Sequence, residues 1–177
     1  MKKRLFPVAL AAVLVGVSAV APRADRGDIT LTARMLGGHE VPPVNSAAAG
    51  TFRATIHTDG TIDFTVTYAN LSTTPLFSHI HFGQFNVAGG VMIFLCGGGG
   101  QPACPTTTSG TFSGTITAAN VTGPTAQGVT AGDLASALRI VVEQGEGYAN
   151  LHSTMFPAGE IRGQVFVQGR DRDHDRD

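Results

Sequence analysis

Histidines are the residues in this chain best suited to chemistry. There are six: His39, His57, His79, His81, His152 and His174. Two of them stand one residue apart, as His79-Ile80-His81. Alternate side chains of an extended strand share a face, so the two imidazoles project side by side and could chelate one ion. A third ligand must come from a neighbouring strand. His152 is the best placed, in Tyr148-Ala-Asn-Leu-His152, where Tyr148, Asn150 and His152 share a face. His39, beside Glu40 in a Pro-rich turn, is the candidate fourth. Imidazole nitrogens are borderline donors that suit copper or zinc. Three such ligands with an open position suit catalysis, and a closed set of four suits structure. The competing reading is a pair of exposed or hydrogen-bonded strand histidines, because His-x-His arises often by chance.

Other constellations are fewer. Glu160 and Arg162 share a strand face, and as a bidentate pair they could brace the sheet or orient His152. Ser109 and Ser113 lack a Gly-x-Ser-x-Gly turn, and no glycine loop carries the lysine of a phosphate cradle. Cys96 and Cys104 are the only cysteines, separated by Gly97-Gly-Gly-Gly-Gln-Pro-Ala103. That segment is flexible enough to let the sulfurs meet, and in an oxidising compartment a disulfide follows. A metal-thiolate pair would need further ligands at finger-like spacing, and none is present.

The elements that must position these groups read as strands. Ile29 to Met35 alternates apolar and polar residues. So do residues 51–57, with Phe52, Ala54 and Ile56 inward, and residues 61–68, with Ile62, Phe64, Val66 and Tyr68 inward. Asp59-Gly60 between them predicts a hairpin. Further strands are expected at 76–82, 91–95, 111–117, 148–152 and 161–167. A short helix is expected at about 132–143, announced by the capping pattern Thr130-Ala-Gly-Asp133 and by Leu134, Leu138 and Val141 at helical spacing. The stretch 138–142 alone could also be read as strand. About eight short strands with glycine-rich turns predict an all-β antiparallel sandwich or closed barrel.

Composition limits the functional classes. The chain has 177 residues, charged residues are 14%, and the formal net charge is −1, so the basic excess of a nucleic-acid binder is missing. Residues 1–21 read as a secretory leader: Lys2, Lys3 and Arg4, then the apolar run Leu5 to Val17, then Ala19-Val20-Ala21, with cleavage after Ala19 or Ala21. The apolar run is too short to span a bilayer, so no transmembrane segment is expected after cleavage. Loss of Lys2, Lys3 and Arg4 leaves nine basic residues against 13 acidic ones. The expected location is secreted or periplasmic. The tail, residues 169–177, has nothing apolar to bury and is expected to be disordered. His174 and its four aspartates read as a solvated tail rather than a metal site.

Three segments together resemble the CHRD domain, named for its repeats in the animal growth-factor antagonist chordin. They are Gly38-His-Glu-Val-Pro-Pro-Val44, His79-Ile-His-Phe-Gly83, and Tyr148-Ala-Asn-Leu-His-Ser153 leading into Pro157-Ala-Gly-Glu-Ile-Arg-Gly-Gln164. The resemblance covers about residues 28–168. It implies an immunoglobulin-like, Greek-key β-sandwich or barrel and no general biochemical activity. The Cys96–Cys104 loop departs from the family as an insertion, and segment 118–133 is longer than expected. Phe77-Ser-His-Ile-His-Phe-Gly83 also resembles the copper-binding strand of Cu/Zn superoxide dismutase. That likeness would make His79 and His81 copper ligands. The bridging histidine and the zinc-loop ligands are missing, which leaves at most a mononuclear site.

Two functions are therefore expected. The leading one is a non-catalytic binding or structural module outside the cytoplasm, with a protein, polysaccharide or metal partner and no certain cofactor. The alternative is a mononuclear copper- or zinc-binding protein using His79, His81, His152 and His39, with Glu40, Asn150, Glu160 and Arg162 in support and redox activity within reach. A surface adhesion role through Thr-rich strand faces is a third.

Overall fold

The computed structural model describes residues 27–169. The leader expected at 1–21, and all but the first residue of the expected tail, lie outside them. Nine strands form: β1 (Ile29–Leu36), β2 (Ala49–Ile56), β3 (Ile62–Ala69), β4 (Pro75–Phe82), β5 (Gly90–Cys96), β6 (Gly110–Thr115), β7 (Gly147–Ser153), β8 (Ile161–Gln164) and β9 (Phe166–Val167). The single run expected at 161–167 is two strands. It breaks at the buried Val165, whose N–H turns to Gly147 O. β8 completes the pairing with β7, and β9 moves over to β1.

Every pairing is antiparallel, and one ladder runs β5-β4-β7-β8-β1-β2-β3-β6. The β2–β3 hairpin pairs Ala49 with Ala69 and Ile56 with Ile62. Its turn is wider than Asp59-Gly60 alone. His57 N donates to Thr61 O, Asp59 Oδ1 accepts from Thr61, and Gly60 takes φ +88°, where a side chain would be strained. The ladder curls into a nearly closed barrel. Residues from β1 to β5, with Ile116, Leu138 and Val141, line one apolar void of about 20 Å³, so strands far apart in the ladder face each other. Val121 bridges to Ile93, Gln101 Nε2 donates to Thr115 O, and Asn120 Nδ2 donates to Gly99 O. These contacts tie the β5 end to the β6 end.

The helix α1 (Leu134–Leu138) continues into a wider-wound turn, Arg139–Gln144, that ends at Gly145. Asp133, not Thr130, caps it by accepting from Ser136 N. Ala137, Ile140 and Val141 face the core. No helix among the described residues is long and apolar enough to cross a membrane. Cys96 and Cys104 form a disulfide with Cα atoms 5.0 Å apart.

Candidate functional site

β4, β7 and β8 are adjacent, and their register builds the site. Across β4 and β7, Phe77 faces His152, His79 faces Asn150, and His81 faces Tyr148. Across β7 and β8, Asn150 faces Arg162 and Tyr148 faces Gln164. β5 sets Phe94 opposite His79. Opposed residues share a face. Ile80, Ala149, Leu151 and Ile161 point the other way into the apolar core. The outer face of these strands is therefore a polar layer, yet it is buried: His79 is 5% exposed, His81 and His152 7%, Asn150 2% and Arg162 3%.

Four connecting segments cover the layer and take up its hydrogen bonds. His81 Nδ1 lies 3.0 Å from Gly89 O, and Tyr148 Oη accepts from Gly89 N at 3.0 Å. A Cβ on Gly89 would fall on the Phe82 carbonyl, so only glycine brings the main chain this close. Arg162 Nη2 donates to Gln84 O, and Gln164 Nε2 donates to Gly83 O and Gly145 O. His152 Nδ1 lies 3.0 Å from Pro157 O. Asn150 Nδ2 donates to Glu40 Oε1 at 2.6 Å, and both pack on the main chain of Gly159.

The three imidazoles meet at one point. Ring centroids are 5.3 Å apart for His79 and His81, 4.9 Å for His79 and His152, and 5.9 Å for His81 and His152. Each offers one ligand nitrogen, and the three lie within 4.8 Å of one another. Carbonyl oxygens accept only, so Gly89 O and Pro157 O hold the protons of His81 and His152 on Nδ1. This leaves both Nε2 atoms as lone-pair donors. His81 Nε2 has no partner at all. His152 Nε2 lies 3.2 Å from His79 Nδ1. Four-coordinate zinc holds nitrogens at about 2.0–2.1 Å, which sets them about 3.3 Å apart.

Electrostatics keep these nitrogens unprotonated. Burial, with smaller repulsion from His152 and His81, pushes His79 down to about 3. Burial pushes His81 down to about 4, with the Gly89 hydrogen bond opposing and His152 and Arg162 adding to it. Burial also lowers His152, against its bond to Pro157 O. Neutral imidazole is the form that binds metal.

Aromatic groups fix the ring planes. His81 stacks on Tyr148 at 4.7 Å, tilted by 4°, and Arg162 Cζ lies 3.4 Å from the centroid of the same ring. Phe77 stacks on His79 at 5.7 Å, and Phe94 meets it edge-on at 4.4 Å. The disulfide loop backs this contact, because Gly98 and Gly99 lie so close to the Phe94 ring that a Cβ on either would strike it.

Two expectations are corrected. His39 does not join the cluster, since its short 3₁₀ turn places it in a different hollow, lined also by Arg34 and Arg53. Glu160 and Arg162 do not form an ion pair with each other. Glu160 Oε1 accepts from Ser46 Oγ, Ser72 N and Ser72 Oγ. Burial would raise this carboxyl, but hydrogen bonds from Ser153, Ser46 and Ser72 outweigh it and hold the group below its ordinary value. Arg162 turns instead to Tyr148 and Gln84. Glu40 lies near enough to feel its charge, yet burial dominates and lifts Glu40 from 4.5 to about 7 against Asn150 and Arg162. Sequence reasoning missed Phe94, Gly89 and Gln84. Phe94 depends on a β4–β5 register that shifts between Ser78 and His79 and again between Ile80 and His81. Gly89 and Gln84 carried no local signal.

The family model that matches this chain is the CHRD domain, over residues 31–165. No curated protein and no solved structure matches it.

Proposed function

Because the chain belongs to the CHRD domain family, we propose that it is a non-catalytic binding module acting outside the cytoplasm, secreted or periplasmic, which holds one copper or zinc ion on His79, His81 and His152. One observation carries the metal reading. Three buried, neutral imidazoles converge, two have their tautomers set by main-chain carbonyls, and His81 Nε2 stands buried without a partner. Metal-binding histidines are ordinarily oriented in this way through the second ring nitrogen. Export is supported by the disulfide and by the leader-like sequence of residues 1–21.

Elemental analysis tests this. Untagged mature protein is loaded with copper or zinc, desalted and measured by plasma mass spectrometry. The expected result is close to one equivalent of one of the two metals, falling to background in His79→Ala/His81→Ala. No retained metal after either loading would reduce the cluster to sheet architecture. Three ligands leave a coordination position open, and this favours a second reading, a redox-active copper centre. Reversible reduction of the copper-loaded protein by ascorbate separates it from the first.

A further inference from the structure

We infer that the hollow receiving His39 is one end of a cleft that binds a carboxylated oligosaccharide. This site is separate from the histidine cluster and does not depend on it. The hollow, of about 640 Å³, lies over β1 and β2 and includes Thr32, Arg34, Thr51 and Arg53. A second hollow, of about 440 Å³, is lined by Gln84, Gln144 and Glu146. Phe85, Gln164 and Phe166 line both, so the two form one cleft with a ring pair at its waist.

Each part points to the same kind of occupant. Phe85 is 56% exposed and its ring lies 5.8 Å from that of Phe166. An open aromatic face is suited to the C–H face of a pyranose ring. Arg34 faces Thr51 and Arg53 faces Thr32, which makes the arginines diagonal neighbours about 7–8 Å apart. Among the described residues neither has a carboxylate partner, and Arg53 donates only to Gln168 Oε1. A guanidinium pair of this kind recognises a carboxylate. Gln164 lies at the waist with Nε2 tied to Gly83 O and Gly145 O, which fixes the floor between the two hollows. Glu146, held by Gln84 in the second hollow, repels a continuous run of negative charge. The cleft therefore selects one acid group beside a neutral, hydroxyl-rich remainder over an acidic peptide or a nucleic acid.

The test is calorimetric titration of the metal-free full chain with a glucose tetramer that carries one terminal uronic acid in place of a glucose, the neutral glucose tetramer and tetraglutamate. The acid sugar is expected to bind at least about ten-fold more tightly than either of the others. Arg34→Gln/Arg53→Gln and Phe85→Ala should each weaken it by at least about ten-fold, with unfolding midpoints unchanged because all three residues are exposed. His79→Ala/His81→Ala should leave it unaltered, so failure here is distinct from failure of the metal reading. The proposal is overturned if the acid tetramer does not bind, if tetraglutamate binds equally, or if both cleft variants bind like the parent.

Discussion

β3 and β7 belong to the same sheet and use their side chains in opposite ways. In β3 burial alternates strictly: Ile62, Phe64, Val66 and Tyr68 enter the core, and Asp63, Thr65, Thr67 and Ala69 meet water. In β7 all seven residues are buried. Ala149 and Leu151 enter the core, while Tyr148, Asn150 and His152 lie under loops. A strand covered on both faces usually reads as a continuous apolar run. β7 instead buries polar groups, which costs free energy wherever partners are missing. His81 Nε2, Asn150 Oδ1 and Gln164 Oε1 have none. Apolar residues on that face would complete the barrel at lower cost. The inner faces of both regions build the core, and only the β4–β7–β8 outer face spends burial on polar groups, the face to which the proposed function assigns the metal.

Substitutions can break that contrast. The largest effect is expected on the β3 side. Phe64→Ala should lower stability by about 3–5 kcal/mol in urea unfolding and leave the metal stoichiometry of the folded protein unchanged. Metal loss at full folding in this variant would couple the two regions and end the distinction.

Acid comes next. In the metal-free protein the histidines of the cluster titrate below their unfolded value of 6.5. As pH falls through 6.5 the unfolded chain takes up protons that His79 and His81 refuse in the folded chain, so stability drops toward about pH 4, by about 1.4 kcal/mol per unit for each of these two, and the lowered His152 acts in the same direction. Glu40 opposes this. Its folded value is raised to about 7, so its contribution is present below 4.5 and is lost as pH rises from 4.5 to 7. His79 and His81 outweigh one carboxyl, and the expected net loss from pH 7 to pH 5 is on the order of 2 kcal/mol. Urea midpoints at the two values check it, and His79→Phe/His81→Phe should flatten the profile.

Smaller effects sharpen the same point. His81→Phe keeps a ring to stack on Tyr148 and removes a buried nitrogen that has no partner, but it also loses the Nδ1 bond to Gly89 O, a carbonyl that keeps the Tyr148 hydroxyl at 3.3 Å. It should lower stability by about 1–2 kcal/mol while abolishing metal retention. Thr65→Ala, on the exposed face of β3, should stay within about 0.5 kcal/mol in the same unfolding assay.

Much of the fold was legible because β3 and its neighbours follow period two. Ile62, Phe64, Val66 and Tyr68 declare the core face with no knowledge of their partners. His79, His81 and His152 could be named as candidates because strand parity places Tyr148, Asn150 and His152 on one face. Which strands stand side by side could not be read. The partners of Glu160 come from Ser46 and Ser72, far away in sequence, so the nearer Arg162 looked like the natural partner. His39 failed for a related reason. Adjacency to Glu40 says nothing about which way a 3₁₀ turn throws a side chain. The break at Val165 was hidden because both halves of 161–167 are strand-like, and only the pairing separates them: β8 meets β7 and Leu36 of β1, whereas β9 meets Leu31 and Thr32 farther along β1.

The most direct test of the account is calorimetric unfolding of the wild-type chain and of His81→Phe, first with chelator and then with zinc and copper in turn. A ligand of the folded state at about 100 times its dissociation constant adds about 2.7 kcal/mol, roughly 5–10 °C for a domain of this size. The account predicts that rise in the wild type for at least one metal and none in the variant. Transitions in the wild type that coincide with and without both metals would contradict it.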